Sequence, residues 1–479
     1  MTTGAAGGRL ARSAPWATGV ILAVFAGLRV LATVGLPVSV WPDSASYFDF
    51  RLWGGVRFPV VTAPYALLGD PAAVVGVQAV VGAVAWSLGL LVAARLVTAL
   101  GVRLVFLLLG CALGLTPPVT TFDRALLSES FAISLTVLLV ATLLHFACRP
   151  GRTAAAGVLG VGVLWGLARP SQALLLGFAA ALLAALGSVR SHRRWAWPVA
   201  AALAAVAVVG GLLASSTSQV QEYNSAQIVV QRVLTDDERS GWFEARGMPD
   251  TGAALLATAA SRFRDPAVEL QDDPRFGPWL RDGFTGVYLR YLLSHPGYAV
   301  GQPLSQDTTA RALVGTDEYG SARAVLPGPV VEVFWPRSYP ARLAAVVVAL
   351  VVLAAGVAAA VGSPGRRRAL AGAGGVLLVA MANLVLVTHT AGWEYERLLL
   401  PVGVGARLAL IWLTATLLGG VTVSGRVASA GPAWRWRRRG AGRTAPAADR
   451  APSTPGPAAP GDSPGAIAVG PGPGRSGTP

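Results

Sequence analysis

Apolar and polar residues fall in long alternating blocks along this chain, and the block lengths predict helices rather than strands. Apolar runs of roughly 18 to 25 residues recur, enough for a helix rising 1.5 Å per residue to cross a bilayer core of about 30 Å. About ten spans are expected, approximately 16–36, 72–96, 102–115, 128–146, 154–167, 171–186, 196–214, 341–361, 369–388 and 398–421. The fifth and sixth form one apolar stretch broken at Arg169-Pro170, where proline interrupts the helical ladder and the arginine needs a polar setting. The predicted fold is an all-α polytopic membrane protein. The first run follows Arg9 and Arg12 and continues into polar sequence, so it reads as a retained span rather than a cleaved signal.

The polar blocks divide the chain further. Residues 1–15 form a short N-terminal segment, 16–214 carry the first seven spans with an outer loop at 37–71, and 341–421 carry the last three. Between them, 215–340 is a large polar segment holding 15 of the 24 acidic residues. It contains helical patterns at 226–234 and 278–293, with turn signals at Gly247-Met248-Pro249 and at His295-Pro296. It is long enough to fold as a small helical domain, or to serve as a lid ordered only against the spans. From 422 the chain turns basic and then rich in Pro and Gly. Trp434 to Arg439 reads as an interfacial anchor, and the remainder as disordered.

Composition agrees with a membrane setting. Charged residues make up 13% of the chain and mean hydropathy is +0.56. The net charge of +15 comes entirely from arginine on the basic side. Arg95, Arg103, Arg149, Arg152, Arg190, Arg193, Arg194, Arg366 to Arg368 and Arg435 to Arg439 all fall on one side of a ten-span arrangement with both termini inside. That is the positive-inside bias, and it accounts for the charge without a nucleic-acid partner. Cys111 and Cys148 lie in or beside apolar runs, and the four histidines are scattered, so no disulfide framework or zinc motif is expected.

The same arrangement gathers the chemically useful residues outside. Asp43, in Trp41-Pro42-Asp43-Ser44-Ala45-Ser46-Tyr47, sits just past the first span. It reads equally as a general base at the membrane–water boundary or as the cap of a short helix. Arg57 follows in the same loop as a candidate anion ligand, or as a loop arginine beside headgroups. Glu129, in Ser128-Glu129-Ser130, opens the fourth span after Asp123-Arg124; helix capping explains it, and so does a place beside Asp43. Arg169 and Arg397 stand at the outer ends of spans, where two guanidinium groups could grip a lipid-linked phosphate or could pair with glutamates between spans. Arg29 and Arg407 lie deeper. Ser44, Tyr47 and Gln78 are candidate substrate-lining residues, as are His389, Glu394 and Glu396 in the last outer loop.

In that order, Pro42-Asp43-Ser44-Ala45-Ser46-Tyr47, Arg57 through Gln78, Ser128-Glu129-Ser130, Arg169-Pro170 and Glu396-Arg397 resemble the GT-C superfamily of membrane glycosyltransferases, particularly uncharacterised actinobacterial members. The resemblance covers roughly residues 16 to 421, and no one motif is specific by itself. It implies a plasma-membrane enzyme whose donor is a sugar on a polyprenyl phosphate. It implies an acceptor in the cell envelope (a glycan, a lipid or a protein), usually with inversion at the anomeric carbon. Asp43 would activate the acceptor hydroxyl, with Glu129 and Asp123 as supporting acids and Arg169, Arg397 and Arg57 on the donor phosphate. Many members carry adjacent acidic residues, whereas here Asp43 is followed by Ser44, with Asp49 six positions on. No metal ligand set is therefore assigned, no covalent cofactor is implied, and a divalent cation stays open. Two other classes remain, a transporter or lipid flippase and a non-catalytic scaffold of envelope assembly. No acidic residue lies mid-span, which disfavours proton-coupled transport.

Overall fold

The computed structural model describes residues 4–427 except 54, 56, 190–191, 216–217, 262–264, 306–307, 309–321, 392–394 and 424–425. The anchor and tail expected beyond 427 lie outside the described residues.

The fold is almost wholly helical. The N-terminal half runs α1 (Gly4–Leu31), α2 (Pro59–Leu68), α3 (Pro71–Ala94), α4 (Leu100–Gly114), α5 (Pro117–Thr120), α6 (Glu129–Cys148), α7 (Arg152–Gly166), α8 (Pro170–Leu186) and α9 (Arg193–Ser215). A series of short helices follows: α10 (Ser218–Ile228), α11 (Asp237–Glu244), α12 (Gly252–Ser261), α13 (Pro266–Asp272), α14 (Phe276–Asp282), α15 (Phe284–Ser294), α16 (Pro296–Gly301) and α17 (Gly328–Phe334). Three long helices come next, α18 (Tyr339–Val361), α19 (Pro364–Thr390) and α20 (Tyr395–Gly419). A two-stranded hairpin, β1 (Thr422–Val423) with β2 (Arg426–Val427), ends the described part.

Six of these helices, α3, α6, α9, α18, α19 and α20, are long and apolar enough to cross a membrane. A seventh span arises if α4 and 117–123, bent by 58° from one another, count as one. The remaining expected runs also fall in helices: 17 apolar residues of α1, the 17 of α8, and α7. Side chains divide as a lipid solvent requires. On α18, Val347, Val348, Leu350, Val351 and Val357 are exposed with no polar face opposite them, a surface that water would not tolerate but hydrocarbon does. By contrast α6 is central. It packs against α3, α7, α19 and α20, and its residues Ile133, Val137 and Leu144 are fully buried. Close approach of α3 and α6 depends on Gly89, where a Cβ would meet a Val137 methyl at 2.9 Å.

Within the expected loop at 215–340, the first part carries an apolar cluster of its own among the described residues. Ile228, Val229, Phe243, Phe276, Leu280, Phe284, Tyr288 and Tyr291 pack into one apolar cluster. The turn at Gly247 has φ +96°, which only glycine adopts without strain. The helix expected over 278–293 is broken at Gly283 into α14 and α15.

Toward the end of this insert the chain dips back into the bundle. The Ala322 amide donates to Thr121 Oγ1 at 3.2 Å, and the Arg323 amide to the Ala32 carbonyl at 3.0 Å. Further on, Trp335 Nε1 donates to Thr116 Oγ1 at 2.9 Å, and Arg407 Nε donates to the Phe334 carbonyl at 2.8 Å. Arg407, deep in α20, also lies 3.9 Å from the Trp335 ring centroid. Arg407 thus fastens a backbone carbonyl and packs against an indole.

Candidate functional site

The site forms where two segments between helices, 37–48 and 121–128, fold against each other. Ser39 and Ala125 form a parallel bridge, with Ser39 N donating to the Arg124 carbonyl and Leu126 N to the Ser39 carbonyl, each at 3.0 Å. Ser44 Oγ accepts from Trp41 N at 2.8 Å and donates to the Leu126 carbonyl at 3.0 Å. From α2, the Tyr65 hydroxyl reaches the Leu127 carbonyl at 2.8 Å and the Gln78 side chain at 2.6 Å. With its amide turned to satisfy both ends, Gln78 also donates to the Asp123 and Ala125 carbonyls at 3.2 Å. These bonds bring the Asp43 turn beside the start of α6.

Asp43 stands before a 3₁₀ turn, Ser44–Tyr47, in a capping position, yet its carboxylate makes no capping bond. Arg57 Nη2 donates to Asp43 Oδ2 at 2.8 Å, Arg57 Nε donates to Ser46 Oγ at 2.9 Å, and the guanidinium lies 4.7 Å from the Tyr47 ring centroid. Arg397 Nη1 approaches the same Asp43 Oδ2 at 3.6 Å, while its Nε lies 3.0 Å from Glu129 Oε1. Arg169 Nη1 meets that Glu129 oxygen at 3.2 Å. The result is one unbroken relay, Arg57–Asp43–Arg397–Glu129–Arg169, drawn from four parts of the sequence. Among the described residues its members are three guanidinium groups and two carboxylates.

Local structure explains each member. Glu129 occupies the first turn of α6, where the helix dipole favours an anion. Arg397 occupies the first turn of α20, where the dipole disfavours a cation, so the two carboxylates offset the cost. Arg169 precedes Pro170, the first residue of α8; proline fixes the helix start and pushes Arg169 into an extended conformation. Exposure is graded along the relay. Glu129 is fully buried, Arg169 and Arg397 nearly so, and the Asp43 and Arg57 side chains remain about a quarter exposed, at 25% and 23%. The relay is therefore open to solvent at Asp43 and closed at Glu129. Glu129 Oε2 is buried with no hydrogen-bond partner among the described residues. Tyr47 is buried against the relay, 3.4 Å from Ser128 Oγ. Burial, reinforced by the nearby Glu129 charge, pushes its phenol above the ordinary value, with Arg57 opposing.

Other expected site residues sit elsewhere. Asp123, expected beside Glu129 as a second acid, is fully buried in a separate pair. Arg29 Nη2 lies 2.9 Å from its Oδ2, and Ser130 Oγ donates to its Oδ1 at 2.7 Å. Arg29 also donates to the Gly114 carbonyl at 3.0 Å and lies 5.3 Å from the Trp86 ring centroid. Ser44 and Gln78 are buried in the scaffold bonds above, which leaves their polar atoms no open face to line. His389 ties the insert to α19. Its Nε2 lies 2.8 Å from the Ala299 carbonyl, so Nε2 carries the proton, and Nδ1 accepts from the Tyr288 hydroxyl at 3.2 Å. Glu396 is half-buried in the first turn of α20, and Glu394 lies outside the described residues.

Ser46, Tyr65 and Arg232 are the participants the sequence did not single out. Ser46 was visible inside the Asp43 motif; Arg232 carries no local signal. Among the described residues no three or more His, Cys, Asp or Glu side chains are grouped to hold a metal ion. An apolar cavity of about 300 Å³, lined by Leu143, Ala179, Leu183, Gly375 and Val379 among others, opens between α6, α8 and α19. Leu143 is 14 residues along α6 from Glu129, about 21 Å by helical rise, so the cavity is not part of the relay. No family model, curated protein or solved structure matches the chain.

Proposed function

We propose that this protein is a membrane glycosyltransferase. It would move a sugar from a polyprenyl-phosphate donor to an envelope acceptor at the outer face of the plasma membrane. The observation that carries this reading is the relay itself. A carboxylate about a quarter exposed, Asp43, shares Arg397 with a buried group in which Glu129 meets both Arg397 and Arg169. An anionic headgroup entering there meets guanidinium groups already held near one another, so little reorganisation is needed.

The chemistry balances with these residues alone. The acceptor oxygen attacks the anomeric carbon, the bond from that carbon to the phosphate oxygen breaks, and the polyprenyl phosphate departs with the electron pair. Asp43 takes the acceptor proton and later gives it to water. Arg397 and Arg169 meet the charge on the departing phosphate, with Arg57 at the rim. A phosphate is a good leaving group without a proton, so one carboxylate suffices. Attack from the face opposite the phosphate inverts the anomeric centre.

The arrangement that goes with this reading has ten spans, both termini cytoplasmic and the insert outside. Arg95, Arg103, Arg149, Arg152 and Arg366 to Arg368 then lie inside, while the relay lies outside. The deciding experiment is transfer from radiolabelled polyprenyl-phosphate sugars in membranes carrying the wild type or Asp43→Asn. Transfer by the wild type alone, at equal protein abundance, supports the reading. Equal transfer by both removes Asp43 from the chemistry. No transfer from any donor in a broad panel favours a scaffold, for which a relay of mutually satisfied charges is simply a clamp.

A further inference from the structure

The insert approaches the relay at the junction of α19 and α20, where Arg232 meets Ala391 and Tyr395. Arg232 lies in a π-helical turn, Val229–Val233, just after α10, and is nearly buried. Such a turn, closed here by Leu234 N donating to the Val229 carbonyl at 2.9 Å, rotates the residues after it out of the α-helical register. Arg232 is thereby turned toward the junction of α19 and α20. Its Nη2 donates to the carbonyl of Ala391, the residue that ends α19, at 2.8 Å. Its guanidinium lies 5.2 Å from the ring centroid of Tyr395, the first residue of α20. Arg397 is two residues further on, in the same first turn. One guanidinium thus touches both sides of the link 391–395 that delivers Arg397 to Asp43 and Glu129.

A second contact fixes the other side of the same junction. His389 is held between the Tyr288 hydroxyl of α15 and the Ala299 carbonyl of α16. The insert therefore grips the junction from two of its own parts. Arg232 itself is steadied from behind: Arg239 donates to its carbonyl, and Arg239 also lies 4.7 Å from the Tyr298 ring centroid. A helix start carrying an arginine has the dipole against it, so its position depends on outside contacts. Arg232 supplies such contacts without touching the relay.

We infer that Arg232 is a positioning residue: from the insert, it sets the place of Arg397 in the ion-pair relay. This rests on the relay being the working site, but the clamp itself does not depend on which reaction occurs there. A molecule engaging the insert near Arg232 would shift Arg397, and an anion seated on Arg397 would in turn stiffen the insert.

Amide hydrogen exchange on the full chain in lipid nanodiscs, with no ligand added, tests this. Arg232→Gln removes the charge; Arg232→Lys keeps a cation and a donor; Tyr395→Leu removes the ring and leaves the insert untouched. Expected are faster exchange at 395–400 in Arg232→Gln and Tyr395→Leu, about tenfold or more, partial rescue in Arg232→Lys, and unchanged exchange around Phe243, Phe276 and Phe284. Unchanged exchange at 395–400 in Tyr395→Leu and Arg232→Gln overturns the inference. If Arg232→Gln loosens the whole insert, Tyr395→Leu decides alone. Because no sugar transfer is read, failure of the transferase reading would leave this result standing.

Discussion

Arg397 Nε lies 3.0 Å from Glu129 Oε1, which joins the first turn of the last long helix to the first turn of the helix at the centre of the bundle. The two residues are far apart in sequence, and each begins an apolar helix at its polar end. Glu129 is fully buried and also serves Arg169, so it is the hub on which both nearly buried arginines depend.

Removing that hub should be costly. Glu129→Ala takes from Arg169 and Arg397 the buried carboxylate they share, and removing one partner of a buried pair typically costs about 3–5 kcal/mol. The expected outcome is a large loss of thermal stability in detergent. Glu129→Gln keeps the volume and an acceptor oxygen, so it should fall between Ala and wild type. A melting temperature unchanged by Glu129→Ala would show that the buried pairs contribute nothing net.

The pocket for Arg29 predicts a second effect. A Cβ at Gly82 would meet Arg29 Nε at 2.9 Å, and one at Gly114 would meet the Trp86 ring at 2.7 Å. Gly82→Ala or Gly114→Ala should each destabilise the protein by about 1–3 kcal/mol through overpacking. Asp49→Asn, in an exposed pair with Arg51, should leave the melting curve where it was. The comparison separates a buried ion pair from a surface one in the same chain.

Arg407→Met should loosen the returning segment. The methionine keeps the apolar stem but leaves the Phe334 carbonyl without this donor and the Trp335 ring without its cation. Leaving a buried carbonyl unpaired costs about 1–3 kcal/mol. Limited proteolysis should then cut within 322–338 earlier than in the wild type, with the insert core digested no faster.

Tyr47 sets an alkaline limit. Its phenol is raised above 10.0 by burial, so the folded state holds this proton more tightly than the unfolded chain does. The resulting stability is fully present below the unfolded value and is lost as pH rises through the folded one. Thermal unfolding followed from about pH 8 to 11 should therefore fall more steeply for the wild type than for Tyr47→Phe, which cannot ionise. Parallel curves would refute the assignment.

The helices were legible and the pairings were not. The run at 369–388 lies within α19, that at 128–146 falls in α6 apart from its N-cap Ser128, and the break at Arg169-Pro170 is where α7 gives way to α8. Hydropathy and proline act locally, so sequence carries them directly. The sequence pointed to the meeting of Asp43, Glu129, Arg169 and Arg397 only through the common outward placement expected of them. Which arginine faces which carboxylate depends on helix packing and had no local sign. Asp123 illustrates this. Six residues from Glu129, it looked like a companion acid, yet its partner Arg29 is 94 positions away. Arg232 was missed for a related reason, since nothing around it in sequence marks a residue that reaches the α19–α20 junction.

The long returning strap has a consequence for how the chain is made. Phe334 and Trp335 are held by Arg407, which the ribosome adds more than 70 residues later. Glu129 likewise waits for Arg397 until nearly all the described chain has been synthesised. A nascent chain stalled before α20 therefore carries a buried-type glutamate, an unanchored strap and an incomplete charge relay together. Release of the finished last helix into the bundle closes all three at once. Truncations that remove it should be recognised and degraded rather than accumulate as a partly working protein.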